Sequence, residues 1–453
     1  MPPEAGTRSA DSGVDRRKVI ADLEAQLRAT PKALRPHEHA ALAYRLGLAH
    51  AEAPAGTPEA GLRTALSYYE VAAAIFDPRH DPIEHARVLN GAGAAHRALG
   101  DAERAAGLFE RAADLLRAQG RDDERAAVLN NLGLVCSELG RLEAAVAACD
   151  EAVGLFDAGT PEGRRGRVAT LHSRGMARAA SGTDAGLEAA LTDYLQAASE
   201  LDPEEAPYHH GLVHHSIGVT YSALAARQPE QRARFLREAV ASFLESLTVF
   251  TRTGFPFQHA LVKYNLGLAW AGMGGPANLR RALASFEDAV STFDPRMHPQ
   301  PWRQSYTSLE RVEKDLAASS PGLSRADHFV ALLAVADTGE RRALVSERLV
   351  SILALPGENR RRALTELALA SARLDYDEAR TVMETELSVL VELPIELQEP
   401  GLRARFDAHR RLDDDDVRER ADRALDQAIG DALQGPQRIG VRDYFYSLGW
   451  ERP

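Results

Sequence analysis

Cysteine, strand-forming residues and long apolar runs are all scarce in this chain. Its 453 residues include two cysteines, which give no disulfide framework and are typical of a protein from a reducing cytoplasm. Aromatic residues make up only 6%, while Ala, Leu, Arg and Glu dominate, a balance that favours helices almost throughout. No stretch approaches the roughly 18 apolar residues of a membrane span, and no apolar signal segment opens the sequence. The sequence therefore predicts a cytoplasmic, all-helical protein without a membrane segment.

Clusters of basic residues and the common catalytic motifs are also missing. The net charge is −12 and no Lys/Arg-rich block occurs, so nucleic acid and anionic membranes are poor candidates as partners. The sequence contains no Gly-rich phosphate loop, no GxSxG motif and no kinase-like set of motifs. These absences predict that the protein is not an enzyme and carries no cofactor.

What the sequence does contain is a repeat. A glycine in a similar local sequence recurs every 40 to 49 residues, at Gly47, Gly93, Gly133, Gly175, Gly218 and Gly267. Behind each glycine come an alanine, an aromatic residue (once a cysteine) and a small residue at positions i, i+4 and i+7. These are Ala65/Tyr69/Ala72, Ala105/Phe109/Ala112, Ala145/Cys149/Ala152, Ala190/Tyr194/Ala197, Ala239/Phe243/Ser246 and Ala282/Phe286/Ala289. A period of this length indicates a stacked array, which is usually a binding surface.

Each period predicts two antiparallel helices. The glycine lies midway along the first helix, where its missing side chain lets the second helix approach closely, and the aromatic residue fills the remaining gap. Three second helices are followed by Asp-Pro, at 77–78, 202–203 and 294–295, where proline ends the helix.

Cys136 and Cys149 face each other in the third unit, which favours two small buried hydrophobic residues over a redox pair.

The pattern defines three segments. Residues 1–14 are predicted to be disordered, residues 15–317 to form a solenoid of six repeats with flanking helices, and residues 323–453 to form a C-terminal helical domain. Glu310 stands where a seventh glycine would be, which suits a closing helix with one solvated face. Within the C-terminal segment the predicted helices include 339–355, 358–374, 376–392 and 413–433.

The glycine, alanine and aromatic pattern with its Asp-Pro exits resembles the tetratricopeptide repeat family over residues 36–317. The common repeat has about 34 residues, so these longer units are more similar to the long-helix variety of kinesin light chains and related cargo adaptors. The resemblance implies an all-α, right-handed superhelix. Its first helices would line a concave groove for a peptide or a partner helix, and no enzymatic activity is implied.

Polar residues occur three positions before every glycine, where a groove-lining helix would present them. We call this set the polar row: Tyr44, Asn90, Asn130, His172, His215 and Tyr264. Side chains that can all hydrogen-bond suit recognition of an extended ligand. The alternative is a row of solvated helix residues.

Basic or titratable residues occur eight positions before every glycine. We call this set the basic row: His39, His85, Arg125, Arg167, His210 and His259. One interpretation is contact with an acidic ligand, in which case binding weakens as the pH rises through the histidine range. The other is structural, with these residues contacting the neighbouring repeat or pairing with nearby acidic helix ends.

The histidine-rich run 208–215 is the candidate metal motif. His210 and His214 stand at i and i+4 on one helical face, a spacing that lets two imidazoles share an ion. No HExxH glutamate and no cysteine pair completes a ligand set, so the sequence by itself predicts no metal site. In the repeat frame His214 takes a position that is normally buried, and His172 and His215 are expected to be neighbours across adjacent repeats.

Together these features predict a cytoplasmic scaffold or adaptor that binds a peptide or a segment of a partner protein in the groove. Two alternatives stay open: a peptide-sensing regulatory protein, and an assembly or maturation factor for a partner enzyme, with or without a link to a metal. A regulator of that type usually carries a DNA-binding helix-turn-helix, and residues 1–35 show none. The sequence does not predict the oligomeric state.

Overall fold

The computed structural model describes residues 10–52 and 58–450; residues 1–9, 53–57 and 451–453 lie outside the described part. Every regular element among the described residues is a helix, which confirms the all-α prediction. The chain divides into two compact units, Met1–Phe255 and Pro256–Pro453. No helix in the described part is both long enough and apolar enough to cross a membrane.

The first unit contains one leading helix and five helix pairs. The leading helix α1 packs on the first pair through Ile20, Leu23 and Leu46. The bounds are α1 Ala10–Ala29, α2 Pro36–Glu52, α3 Pro58–Ala73, α4 Pro82–Ala98, α5 Ala102–Ala118, α6 Asp122–Glu138, α7 Leu142–Leu155, α8 Pro161–Ala180, α9 Asp184–Glu200, α10 Pro207–Arg227 and α11 Arg232–Val249, with a 3₁₀ turn at Pro229–Gln231. We number the pairs α2/α3 to α10/α11 as repeats one to five.

The second unit begins with repeat six and continues with helices outside the repeat pattern. Repeat six is α12/α13, and α14 closes it. The bounds are α12 Pro256–Met273, α13 Pro276–Thr292, α14 Pro299–Ser319, α15 Arg325–Val335, α16 Thr338–Leu353, α17 Gly357–Ala372, α18 Tyr376–Leu390, α19 Ile395–His409, α20 Asp415–Ala432 and α21 Gly435–Ser447. The four C-terminal helices predicted above are therefore present, with ends that differ by at most two residues.

The repeat glycines pack as their spacing predicts. A methyl group placed on Gly93 would lie 2.7 Å from Cε1 of Phe109, the aromatic residue of the same pair. The other glycines face Tyr69, Cys149, Tyr194, Phe243 and Phe286 in the same way. All six of these second-helix residues are buried, Cys149 included. The helices of each pair therefore approach each other at the glycine, and the ring or thiol fills the space between them.

Gly93 and Gly107 offer a matched test of this packing. Gly93→Ala is expected to lower the free energy of unfolding by about 1–3 kcal/mol, because the added methyl group forces the buried Phe109 ring to move. Gly107 lies inside α5 with nothing within 4 Å of its would-be methyl group. Gly107→Ala is therefore expected to raise stability by about 0.5–1 kcal/mol through helix propensity alone. Urea unfolding monitored by circular dichroism measures both, and equal effects would contradict a packing role for Gly93.

The Asp-Pro segments end helices through the aspartate as well as the proline. The Asp77 carboxylate accepts a hydrogen bond from the Arg79 amide at 2.7 Å, and Asp202 accepts one from the Glu204 amide at 2.9 Å. Asp294 repeats the contact with the Arg296 amide at 2.8 Å. A second proline then opens the next helix in each case, at Pro82, Pro207 and Pro299, where a missing amide hydrogen leaves no bond unmade.

Two segment boundaries differ from those expected. Helix α1 begins at Ala10 rather than at residue 15, so residues 10–14 are helical and not disordered. Once the helix has formed from residue 15 onward, each further residue adds a hydrogen bond at little cost. The rest of the predicted disordered segment, residues 1–9, lies outside the described residues. The division at 255/256 does not coincide with the expected one at 317–323, and the three-segment organisation stays a prediction.

The C-terminal helices pack differently from the repeats. Each of α15 to α18 packs most closely on the second helix after it, α15 on α17 through to α18 on α20. Phe445 and Trp450 near the end of the chain are buried in the same hydrophobic cluster as Leu425 and Ala421 of α20, so the aromatic C-terminal stretch belongs to the core of this unit. In α14, Leu309 packs on α13 while the neighbouring Glu310 is exposed, as expected of a closing helix.

Candidate functional site

The first helices of the first unit form a layer of their own. Each contacts the first helix of the next pair, from α2 with α4 through to α8 with α10. The second helices instead pack between their own first helix and the first helix of the next pair. One face of the first-helix layer therefore stays free of second helices, and this face carries the candidate site.

In the first unit, the polar row lies where this face meets the second helices. All six side chains are intermediate in exposure. Four of them contact the aromatic residue of their own pair, with ring centroids 5.4–6.0 Å apart: Tyr44 with Tyr69, His172 with Tyr194, His215 with Phe243 and Tyr264 with Phe286. Tyr264 belongs to the second unit. The row thus combines a packing contact on one side with a polar edge on the other.

The polar row also bonds adjacent repeats together. Asn131 Nδ2 donates to Asn90 Oδ1 at 3.0 Å, and His172 Nε2 lies 2.9 Å from Ser216 Oγ. His172 is close enough to His215 for their charges to interact, as expected for neighbours across repeats four and five. Among the described residues the buried Asn130 Oδ1 has no hydrogen-bond partner, so this amide keeps an unused acceptor.

The two histidines of the polar row are neutral at ordinary pH. Burial, together with the charges of His209 and His215, lowers the pKa of His172 to about 4. Burial likewise lowers the pKa of His215 to about 4. Burial also raises the pKa of Tyr44, although the nearby Arg87 guanidinium acts in the opposite direction. The row therefore offers uncharged hydrogen-bonding groups.

A second set of residues on the first helices was missed at the level of sequence. The residue directly after each repeat glycine is apolar, and we call this set the apolar row: Leu48, Ala94, Leu134, Met176, Val219 and Leu268. Leu48, Met176, Val219 and Leu268 are 38–42% exposed, Ala94 is exposed, and Leu134 is buried. These positions lie four residues after the polar row, one turn along the same helix face. The sequence signal was present, since all six positions are apolar.

In repeats one and two, the basic row bonds backbone at the end of the preceding helix. His39 Nδ1 lies 2.7 Å from the carbonyl oxygen of Thr30, and His85 Nδ1 lies 2.7 Å from that of Phe76. Arg167 in repeat four donates to the carbonyl of Val153 at 3.2 Å. These bonds connect the start of a first helix to the end of the helix before it.

In the later repeats the basic row pairs with carboxylates of the second helix. Arg125 donates to Glu151, and Arg167 Nε donates to Glu200 Oε2 at 2.8 Å. His210 Nε2 lies 2.9 Å from Glu245 Oε1, and His259 Nε2 lies 2.9 Å from Asp288 Oδ2. Because every member has an intramolecular partner, the geometry favours the structural interpretation of the basic row.

The candidate metal motif gains a third member in the structure. His210 and His214 have ring centroids 4.4 Å apart, and Glu245 of α11 joins them. One ligand atom from each of the three residues lies within 4.8 Å of the others. Burial lowers the pKa of His214. Two imidazoles and a carboxylate form a donor set that divalent transition metals accept.

Both cysteines are buried free thiols. Burial raises the pKa of Cys136, and it raises that of Cys149 to about 12. A thiol that stays protonated is a poor nucleophile and a poor redox partner, so the two residues act as small hydrophobic groups in repeat three.

Comparison with known proteins bears on this architecture. Residues 84–158, which correspond to repeats two and three, match the family model of the tetratricopeptide repeat. A tetratricopeptide repeat protein from Parabacteroides merdae is 17% identical, with a TM-score of 0.41, over 65% of this chain and 94% of that chain. A human IFIT1 dimer with m7Gppp-AAAA is 14% identical, with a TM-score of 0.37, over 86% of this chain and 78% of that chain. No curated protein is significantly similar to this sequence.

Proposed function

We propose that this chain is a tetratricopeptide repeat protein that binds a segment of a partner protein on the exposed face of its first helices; the match of residues 84–158 to the family model supports the proposal. Tetratricopeptide repeats support protein–protein interaction in general and are generally not enzymes. The resemblance to the kinesin-light-chain variety stays a prediction, as does the handedness of the superhelix.

The exposed apolar row is the observation that carries the proposal. Leu48, Met176 and Val219 of the first unit present partly exposed apolar side chains at the same register position of three repeats. Apolar side chains that recur on one face of a protein mark an interaction surface. The half-buried polar row borders them and supplies hydrogen bonds that fix the orientation of a ligand.

The chemistry of this face specifies the partner segment. Apolar contacts from the successive repeats four and five suit a segment with apolar side chains on one side, such as an amphipathic helix or an extended peptide. The neutral histidines and the asparagines of the polar row favour uncharged polar groups beside those apolar side chains. This argues against a strongly acidic ligand, which a charged basic row would have suited.

Replacing apolar-row residues by aspartate is expected to abolish partner retention. The double variant Met176→Asp/Val219→Asp places two charges where apolar side chains would dock, and affinity should fall by roughly tenfold or more, equivalent to about 1.4 kcal/mol. Quantitative mass spectrometry of proteins that co-purify with the full chain from its native host measures the loss. Peptides from any protein lost in this way then serve as probes in fluorescence anisotropy.

The second helices supply a matched control. Leu195 and Leu244 lie on α9 and α11 of the same two repeats and are 47% and 51% exposed, so they resemble Met176 and Val219 in exposure but not in position. The variant Leu195→Asp/Leu244→Asp should retain every partner. Equal loss in both variants, or loss in neither, would show that the first-helix face is not the binding surface.

A further inference from the structure

Repeats five and six depart from repeats one to four at one register position. Four residues before the glycine, repeats one to four carry buried apolar residues: Ala43, Leu89, Leu129 and Leu171. Repeat five carries His214 there, and repeat six carries Lys263. A polar side chain in a packing position is unfavourable unless it gains a partner.

Repeat six shows that this position faces the second-helix carboxylate. The buried Lys263 Nζ lies 3.5 Å from Asp288 Oδ2 and 2.6 Å from Glu347 Oε2. Asp288 also contacts His259 of the basic row. A protein cation thus completes the histidine–carboxylate pair of repeat six.

Repeat five has the same kind of histidine–carboxylate pair. In place of the lysine cation, however, it has a second imidazole, His214, which can bind a metal ion. His210 Nε2 contacts Glu245 Oε1 at 2.9 Å, while His214 adds a second imidazole one helical turn away. This histidine is not needed for packing, because leucine fills the position in repeats two, three and four. The contact with Glu245 already gives His210 Nε2 a hydrogen-bond partner without His214.

We propose that His210, His214 and Glu245 bind a divalent transition-metal ion, with Zn²⁺ as the probe of choice. Ligand atoms of a tetrahedral zinc site lie about 3.3 Å apart at bond lengths near 2.0–2.1 Å. The three donor atoms, all within 4.8 Å of one another, reach that spacing by small side-chain rotations. The Glu245 side chain is 48% exposed and that of His210 is 12% exposed, so an ion can enter from solvent.

Three protein ligands leave at least one coordination position open. Open positions are typical of metal sites that exchange water or accept a further ligand. In this protein the open position is available to a side chain of a bound partner. The metal proposal does not depend on the apolar row, because metal binding is measured on the chain alone, without a partner protein.

Calorimetric titration of Zn²⁺ into the full chain, purified without a tag and stripped with chelator, tests the proposal. We expect one ion per chain and a rise in melting temperature with Zn²⁺. His214→Leu restores the residue of repeats three and four, so it should fold, and its affinity should fall by more than about tenfold. Glu245→Gln keeps the size of the side chain but removes the anionic ligand, and it should weaken binding in the same range.

The neighbouring histidine provides the control. His209 belongs to the same run but lies outside the three-residue group, so His209→Gln should bind Zn²⁺ as the unmodified protein does. Co²⁺ in place of Zn²⁺ should give the visible absorption of a bound ion, which His214→Leu removes. Undiminished Zn²⁺ binding in His214→Leu and Glu245→Gln, an equal loss in His209→Gln, or no stoichiometric binding would each overturn the proposal.

Discussion

Replacing Phe243 by alanine is expected to lower the free energy of unfolding by about 3–5 kcal/mol. The ring is fully buried in repeat five, where it lies against Gly218 and within 5.9 Å of the His215 ring. Removing it leaves a cavity between α10 and α11 that the two helices cannot close without losing their other contacts. Whole domains are stable by only about 5–15 kcal/mol, so this one ring accounts for a large fraction of the stability.

The adjacent residue is the control for this prediction. Leu244 is 51% exposed, and Leu244→Ala should change stability by less than about 0.5 kcal/mol. Urea unfolding measures both variants. Hydrogen exchange should show that Phe243→Ala loses protection first in α10 and α11, because repeats are stabilised mainly by their nearest neighbours. Similar losses for the two variants would contradict the packing described for repeat five.

Removal of the Asp193 carboxylate is expected to lower stability by about 3 kcal/mol. Asp193 in α9 is 1% exposed and accepts hydrogen bonds from two arginines of α8, Arg174 Nη2 at 2.6 Å and Arg178 Nη1 at 2.8 Å. Asp193→Ala leaves both guanidinium groups in a poorly solvated position without their main partner. The expected loss is at the lower end for a buried pair, because the Arg178 side chain is 25% exposed.

Asp150 provides a matched comparison, since it bonds the same arginine from the surface. Its carboxylate accepts from Arg174 Nη1 at 2.6 Å, but its side chain is 50% exposed. Asp150→Ala should therefore cost no more than about 1 kcal/mol. Thermal and urea unfolding of both variants, together with Asp193→Asn, which keeps the shape of the side chain, measure the difference. If the Asp150 variant loses as much stability as the Asp193 variants, burial does not determine the strength of this pair.

The Arg174–Asp193 pair shows what one repeat register can and cannot predict. Arg174 directly precedes Gly175, a position that is Leu, Ala or Ile in the other five repeats. The departure was visible in the sequence. Its partner was not, because Asp193 lies 19 residues away on another helix and no local spacing connects the two.

The candidate site was likewise predicted from the sequence only in part. Sequence reasoning found the polar row, and the structure places all six members at intermediate exposure. It did not find the apolar row, although the residues were plainly apolar, because residue spacing alone does not show which apolar side chains stay exposed. Only the packing of one first helix beside the next shows that Met176 and Val219 are partly exposed.

The third metal-ligand candidate required the tertiary structure altogether. His210 and His214 are close in sequence and share a helix face, so their proximity follows from helical geometry alone. Glu245 lies 35 residues after His210, on the facing helix. Which of the acidic side chains of α11 meets His210 depends on how the two helices are rotated against each other, and this rotation follows from the contact between Gly218 and Phe243.

The sequence by itself determined the helical class, the six helix pairs and the glycine–aromatic contacts, because these depend on helix propensity and on spacings within one pair. Only the tertiary structure decided which face of the first helices stays exposed, which partners satisfy the basic row and which carboxylate joins the two histidines. Those features depend on how separate helices pack together, and the free energy of that packing is spread over residues far apart in the chain.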